Sequence, residues 1–200
     1  MIVIHERRVA FVHIPRTAGH ALQTALVQAF PATQLYGHDW EHVGAHAIRR
    51  VLPSPDYRVF TVIRNPWAIF ASYYGLLKRA KDDHPDWSEG SLFGLAMLEP
   101  LAFPDLVRQL VADNTLACDG GFAKRYCDPE TIVFQYESNP WADIAAWLDC
   151  ELAMERINES LCEPPVWDQA SIDLVGHHCR GDVERFGYEA PSLSSLSMTS

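Results

Sequence analysis

Two hundred residues, 48% of them hydrophobic, are enough to bury one sizeable core and too few for two comfortable domains. Residues 1–81 carry 10 of the 16 Lys and Arg residues but 4 of the 26 Asp and Glu residues, a formal charge of +6 against −16 for the rest. A basic part in an acidic chain favours a local anionic ligand, since the acidic remainder would repel a long polyanion such as DNA. We therefore expect no nucleic-acid partner, with solvated charged faces as the alternative interpretation.

The start of the chain and its cysteines indicate a compartment. Glu6, Arg7 and Arg8 interrupt the first apolar residues, so we expect neither a signal peptide nor a membrane anchor. Five cysteines without a CxxC pair fit neither a disulfide framework nor a zinc ribbon. These features predict a cytoplasmic protein with reduced thiols and no membrane partner.

Three apolar, β-branched runs predict buried strands. They are VAFVHI (9–14), YRVFTVI (57–63) and TIVFQY (131–136). After the first run, Leu22, Leu26 and Phe30 repeat every four residues until Pro31, which predicts a helix from residue 17 or 18 to 30.

Helices are also predicted after the other two runs. Asn65 and Pro66 resemble an N-cap followed by proline at the first helical position, opening a helix through about Leu77. The run PWADIAAWL (140–148) has one apolar helical face, and residues 103–111 form the clearest helix in the middle of the chain.

Alternating strands and helices predict one α/β domain over residues 1–190, with a mainly parallel sheet. We expect residues 191–200, which are rich in serine, to form a disordered tail. Ligands of such sheets lie at the carboxyl ends of the strands, where the loops 15–20 and 64–66 both fall.

The loop PRTAG (15–19) stands between a predicted strand and a predicted helix. A helix N-terminus offers unpaired N–H groups and partial positive charge to an anion. Arg16 adds a guanidinium, Thr17 adds a hydroxyl, and Gly19 permits close approach of the backbone. No GxxxxGK[ST] is present, which disfavours ATP hydrolysis with the usual magnesium site. An ordinary strand-to-helix turn with a surface arginine is the alternative.

The segment RNPWAIFAS (64–72) supplies a second set of anion-binding groups. Arg64 ends the second predicted strand and can bind phosphate through two N–H groups at once. Ser72 lies two turns into the following helix and can contribute a hydroxyl if the phosphate lies alongside that helix. Two anion sites at neighbouring strand ends suit a ligand with two separated phosphate groups.

FVHIPRTAGHAL (11–22) resembles the 5′-phosphosulfate loop, and RNPWAIFASYY (64–74) the 3′-phosphate motif, of sulfotransferases that use 3′-phosphoadenosine 5′-phosphosulfate (PAPS). The likeness is to the carbohydrate-type branch, which includes bacterial members and the heparan sulfate 2-O-sulfotransferases. EHVGAHAIRRVL, FQYE, RINES and GDVERFGYE follow in family order, so the resemblance reaches from about Val9 to Glu189.

The resemblance implies a P-loop-like three-layer α/β fold, with PAPS as sulfuryl donor and no metal. Arg16 would replace the usual lysine at the 5′-phosphosulfate, while His20 and Ala21 stand where the family has hydroxyls. Arginine keeps the charge but is a planar fork, so reduced or lost activity is an open alternative. The residues that this likeness assigns to the donor are Arg16, Thr17, Ala18, Gly19, His20, Arg64 and Ser72.

A hydroxyl acceptor needs a general base, and histidine titrates near neutral pH. His38, His42 and His46 are spaced by four residues and would share one face of a helix. The family pattern aligns best with His42 as base, with His38 second and the acidic residues Asp39 and Glu41 as substitutes. Zinc between histidines four apart is the alternative that we disfavour, since no HExxH is present and Gly44 weakens a helix.

Other residues receive structural interpretations. We expect His13 to be a hydrogen-bonded core residue, HHC (177–179) to be structural, and Trp67, Tyr73 and Tyr74 to be core or to line an adenine or acceptor pocket. Lys124 and Arg125 are a solvated basic pair or reach a phosphate.

The sequence thus predicts a PAPS-dependent sulfotransferase acting on a hydroxyl of a saccharide or other small molecule. A protein of the same fold that binds the nucleotide without catalysis is the second hypothesis. A P-loop-type nucleotide kinase is the third.

Overall fold

The computed structural model describes residues 1–36, 42–83, 102–116, 118–155 and 165–193, without the side chains of 79–83. The strands are β1 (Ile2–Ile4), β2 (Val9–Val12), β3 (Gln34–Leu35), β4 (Arg58–Ile63) and β5 (Ile132–Gln135). The helices are α1 (Gly19–Ala29), α2 (Ala45–Arg49), α3 (Pro66–Asp83), α4 (Phe103–Ala112), α5 (Phe122–Tyr126), α6 (Trp141–Leu148), α7 (Gln169–His178) and α8 (Arg180–Phe186). Short 3-10 helices cover His5–Arg7 and Tyr136–Ser138.

The five strands form one open sheet in the order β3-β1-β2-β4-β5. β2, β4 and β5 are parallel neighbours, as their apolar runs and following helices predict. β1 pairs antiparallel with β2, and β3 pairs antiparallel with β1. The fold is therefore α/β with a mixed sheet. The expectation of a mainly parallel sheet is wrong for β1 and β3, which pair antiparallel.

The contacts of the chain divide it into two compact units. One comprises Met1–Asn65 and Phe122–Asn158, and the other comprises Pro66–Gly121 and Glu159–Ser200. The first contains the sheet with α1, α2, α5 and α6, and the second contains α3, α4, α7 and α8. The single domain over 1–190 stays a prediction, and the predicted tail lies mostly outside the described residues.

The core of the sheet-containing unit lies between one sheet face and the helices α1 and α6. Side chains alternate between the faces of a strand, so every second residue of β1, β2 and β4 points toward these helices. The α1 residues Leu22 and Leu26 meet them, as their four-residue spacing predicts. The other core members include Ile2, Ile4, Val9, Phe11, Phe60, Val62, Ile144 and Leu148.

A partly buried ion pair holds α2 in place within the same unit. Arg49 of α2 donates from Nε to Asp128 Oδ2 (2.5 Å) and from Nη2 to Asp128 Oδ1 (3.2 Å). Burial raises the pKa of Asp128, but hydrogen bonds from Arg49 and Thr131 outweigh it, so the pKa lies below its usual value. The pair holds α2 against the turn that leads into β5.

The second unit packs aromatic side chains between its helices. Trp67 of α3 is buried and donates from Nε1 to the carbonyl oxygen of Ile172 in α7 (2.9 Å). Phe103 of α4 packs edge-on against Trp167 and Tyr74, with ring centroids 4.5 and 5.1 Å apart. Trp67 and Tyr74 are therefore packing residues of this unit, which is one of the two interpretations that the sequence left open.

Candidate functional site

Three strands of the sheet end side by side. β2, β4 and β5 run parallel, so the loops that follow them leave from the same edge. These loops carry Arg16 after β2, Arg64 after β4, and Tyr136 with Glu137 after β5. The predicted meeting of the loops 15–20 and 64–66 at one edge is confirmed.

Arg64 contacts both neighbouring loops. Its Nη1 donates to the carbonyl oxygen of Arg16 (3.1 Å), and its Cζ lies 4.6 Å from the centroid of the Tyr136 ring. Its Nε is buried and has no hydrogen-bond partner among the described residues. A buried N–H without an acceptor is costly, so this atom is suited to an anionic oxygen.

Glu137 fixes the turn that carries Arg64. Its Oε1 accepts a hydrogen bond from the backbone N–H of Asn65 (2.7 Å). The FQYE motif was expected at the third strand, without a role for Tyr136 or Glu137. Their position at the carboxyl end of a parallel strand is the signal that could have identified them.

The loop between β2 and α1 has an unusual backbone. Arg16 (φ 65°) and Ala18 (φ 62°) are both left-handed, a conformation that costs a residue with a Cβ about 1–2 kcal/mol. Thr17 between them is buried, and its hydroxyl donates to the carbonyl oxygen of Ile14 (2.8 Å). The proton of this hydroxyl thus supports the turn, whereas the family resemblance implied that the side chain contacts PAPS.

Helix α1 begins directly after this loop. Its N-cap residue is Ala18, and no described side chain caps the first turn. The first N–H groups of a helix have no partner within the helix, and they attract negative charge. Ala18, Gly19 and His20 therefore lie where backbone amides can receive an anion, beside the Arg16 side chain.

Gly19 is tightly packed against His13. A Cβ at this position would lie 1.8 Å from Cδ2 of the His13 ring, far inside van der Waals contact. The glycine was expected to allow backbone to approach a ligand. The structure adds a requirement from within the protein, because only glycine leaves room for the His13 ring.

Three histidines cluster around this point. The centroid of the His13 ring lies 4.8 Å from that of the His20 ring and 4.9 Å from that of the His42 ring. Both contacts are edge-on. Nδ1 of His42 lies 3.3 Å from the carbonyl oxygen of His13, at hydrogen-bonding distance. His13 is buried, while His20 and His42 are exposed. The first-choice base is thus beside the loop that carries Arg16.

Burial lowers the pKa of His13 to about 2, with further lowering by the neighbouring His42, His20 and Arg16. His13 is therefore neutral at physiological pH and cannot serve as a general base there. Its ring also stacks on Phe11, with centroids 6.3 Å apart. The expectation that His13 is a core residue is confirmed by its burial, while the hydrogen bond expected for its ring stays a prediction.

The other candidate bases have different positions. α2 begins at Ala45, after His42, so His42 and His46 do not share a helix face as their spacing suggested. Gly44 is extended at the N-cap, which explains the late start. His46 is exposed on α2, and His38, Asp39 and Glu41 lie outside the described residues.

Ser72 and the basic pair stay predictions. Ser72 is half-buried on α3, two turns from its start, as expected, but it belongs to the second unit. Lys124 and Arg125 are exposed on α5. The RINES segment (156–160) lies outside the described residues.

The HHC segment is part of the second unit's packing. Cys179 is buried, and its Sγ lies 3.9 Å from Sγ of Cys118. The described part of the chain contains no group of three or more His, Cys, Asp or Glu side chains arranged to hold a metal ion. Among its helices, none combines the length and the apolarity needed to cross a membrane.

Comparisons with protein-family models, curated proteins and solved structures find no match for this chain. A function for this chain is therefore inferred from the geometry of the strand ends and from the motifs in the sequence.

Proposed function

We propose that this protein is a PAPS-dependent sulfotransferase that transfers a sulfuryl group to a hydroxyl of a saccharide or other small molecule. One observation carries the proposal: Arg64 contacts the Arg16 loop through Nη1 and keeps a buried Nε without an acceptor among the described residues. Two groups of anion-binding donors thus adjoin at neighbouring strand ends, which suits a ligand with two separated anionic groups.

The donor set of this edge fits PAPS. Arg16 and the amides of Ala18, Gly19 and His20 would hold the 5′-phosphosulfate, because they join a guanidinium to an uncapped helix start. Arg64 would hold the 3′-phosphate, and the role of Ser72 stays a prediction from the sequence motif. A P-loop-like arrangement of the sheet and its helices belongs to this proposal, since the parallel strands β2 and β4 each lead into a helix.

When bound, PAPS supplies the sulfuryl group and its bisphosphate leaves. The chain's residues would neutralise charge and move a proton. Arg16 and the start of α1 stabilise negative charge at the 5′ position. His42 takes the proton from the acceptor hydroxyl, since donation from Nδ1 to the His13 carbonyl leaves its lone pair on Nε2.

A nucleotide-binding protein without catalysis is the second candidate. The hydroxyl proton of Thr17 goes to Ile14, and His20 is exposed where the family has a hydroxyl, so fewer hydroxyl donors are left for the sulfuryl group. Turnover with an acceptor separates the two candidates. His42→Ala should abolish the turnover of an enzyme and leave nucleotide affinity intact.

Calorimetric titration with adenosine 3′,5′-bisphosphate tests the proposal, with 5′-AMP as the ligand that lacks the 3′-phosphate. We expect the bisphosphate to bind more tightly, and Arg64→Ala to weaken its binding by about tenfold to a hundredfold, as for charged hydrogen bonds. Arg58→Ala is the matched control, because Arg58 lies at the opposite end of the same strand. Its Cζ lies 4.3 Å from the centroid of the Trp147 ring. Equal affinity for both ligands would refute the 3′-phosphate assignment.

A cytoplasmic location is part of the proposal. Among the described residues, Cys118, Cys150 and Cys179 are free thiols, which suits a reducing compartment. Mass spectrometry of alkylated protein isolated from cells would test it, since a disulfide between any of them would contradict this location.

A further inference from the structure

His13 contacts His42 in two ways. The His13 carbonyl oxygen lies 3.3 Å from Nδ1 of His42, and the two rings meet edge-on at 4.9 Å. A carbonyl oxygen only accepts, so this contact requires a proton on Nδ1 of His42. The neutral His42 that makes it carries its lone pair on Nε2.

The His13 ring is itself held in place. Phe11 stacks on it, His20 meets it edge-on, and the backbone of Gly19 leaves no room between helix and ring. A buried ring with neighbours on these sides has little freedom to turn. It therefore provides a fixed surface for the exposed ring of His42.

We propose that His13 is a positioning residue for His42: its carbonyl oxygen selects the tautomer with the proton on Nδ1, and its buried ring sets the orientation of the His42 ring. The catalytic consequence rests on the proposed function, whereas the tautomer is a property of the protein alone. His13 remains neutral because burial depresses its pKa, so it does not compete with His42 for the proton.

The tautomer of His42 can be measured without donor or acceptor. In long-range proton–nitrogen NMR spectra of histidine-labelled protein, we expect the proton of neutral His42 on Nδ1. His42→Gln assigns the signals by removing them. A neutral wild-type His42 with its proton on Nε2 would overturn the proposal, whatever the protein catalyses.

Two variants test the His13 ring. His13→Leu removes the ring and retains an apolar side chain, and Gly19→Ala displaces the ring with a Cβ. Both variants keep the carbonyl oxygen, but the His42 ring is no longer held in position against it. In either folded variant, we therefore expect a weaker preference for the proton on Nδ1. His46→Gln is the matched control, since His46 is exposed on α2 and should leave the His42 signals unchanged. Unchanged His42 signals in folded His13→Leu would overturn the role of the ring.

Activity gives a separate measurement. In His13→Leu we expect kcat to fall about tenfold to a hundredfold, as when an outer partner that orients a histidine is removed, with little change in the KM for PAPS. If the protein shows no turnover at all, the proposed function fails, and the NMR result still decides the positioning role. Turnover that is equal in His13→Leu and the wild type would overturn the catalytic part.

Discussion

Helices α1 and α7 begin in opposite ways. At α7, Asp168 accepts a hydrogen bond from the N–H of Ser171 (2.7 Å), and the Ser171 hydroxyl completes a reciprocal capping box. Arg108 also binds the Asp168 carboxylate. At α1, the N-cap is a left-handed Ala18 without a side-chain cap, preceded by a left-handed Arg16.

The difference separates a helix start that a side chain caps from one whose first amides could bind the anion of the proposed function. A capping side chain contributes about 1 kcal/mol and uses the amides that an anion would need. The α1 start lacks this contribution and holds two residues in an unfavourable conformation, which persists because buried Thr17 and the Arg64 contact support it. The amides of α1 are the ones that remain suited to a phosphate.

The largest effect is expected from Gly19→Ala. The new Cβ would overlap the His13 ring, so the start of α1 or the ring must move, at about 1–3 kcal/mol of unfolding free energy. We also expect affinity for adenosine 3′,5′-bisphosphate to fall at least about tenfold, since the amides move with the helix. Denaturant unfolding and calorimetry measure the two effects.

The double variant His13→Ala/Gly19→Ala shows whether the ring is the cause. It should be more stable than the sum of the single effects predicts, by about 1 kcal/mol or more, because the missing ring leaves room for the methyl group. Gly187→Ala is the control, because it strains a left-handed position (φ 68°) with nothing within 4 Å. Additivity between His13→Ala and Gly19→Ala would contradict the packing argument.

The next largest effect is on stability at acid pH. His13 titrates at its usual pKa of 6.5 when unfolded and at about 2 when folded, so the unfolded state binds more protons between these values. Stability is therefore full above pH 6.5 and falls as the pH decreases below it. At about 1.4 kcal/mol per pH unit, His13 alone costs about 2 kcal/mol at pH 5.

Comparing His13→Leu with the wild type isolates this contribution. The variant should lose less stability between pH 7 and pH 5 in denaturant titrations. Burial also lowers the pKa of His178, so the unfolding free energy of His13→Leu should still fall as the pH decreases. An identical pH dependence of the two proteins would be inconsistent with a buried neutral His13.

The elements that bear the site were predictable because their signals are local. Three apolar β-branched runs predicted β2, β4 and β5, and a four-residue repeat predicted α1. β1 and β3 have three and two residues, too few for a periodic signal, and they exist through pairing with distant residues. Missing them made the sheet look more parallel than it is.

The site was predictable only as far as residue order determines it. Arg16 and Arg64 follow neighbouring parallel strands, so their proximity could be inferred from the strand pattern. The packing of Gly19 on His13 depends on left-handed turns at Arg16 and Ala18, which neither residue type favours. The contacts among the histidines therefore depend on tertiary structure, and their spacing in the sequence does not indicate them.

A smaller effect is expected at the capped helix. Asp168→Ala should lower the unfolding free energy, because the N–H of Ser171 loses its acceptor. Asp105→Ala removes the other carboxylate that binds Arg108 but keeps the helix cap, so it should lower the unfolding free energy by less. Both variants should bind adenosine 3′,5′-bisphosphate as the wild type does. A loss of affinity in Asp168→Ala would end the division between a structural and a binding helix start.

The smallest effect is expected from Ala18→Gly. Glycine removes the left-handed penalty of about 1–2 kcal/mol but increases the entropy of the unfolded chain by nearly as much, so stability should rise by at most about 1 kcal/mol. The same substitution at exposed Ala146, within α6, should cost about 1 kcal/mol. Opposite signs in denaturant unfolding would confirm that Ala18 is strained. If nucleotide affinity also stays constant, the left-handed backbone, rather than the alanine side chain, is what the anion site requires.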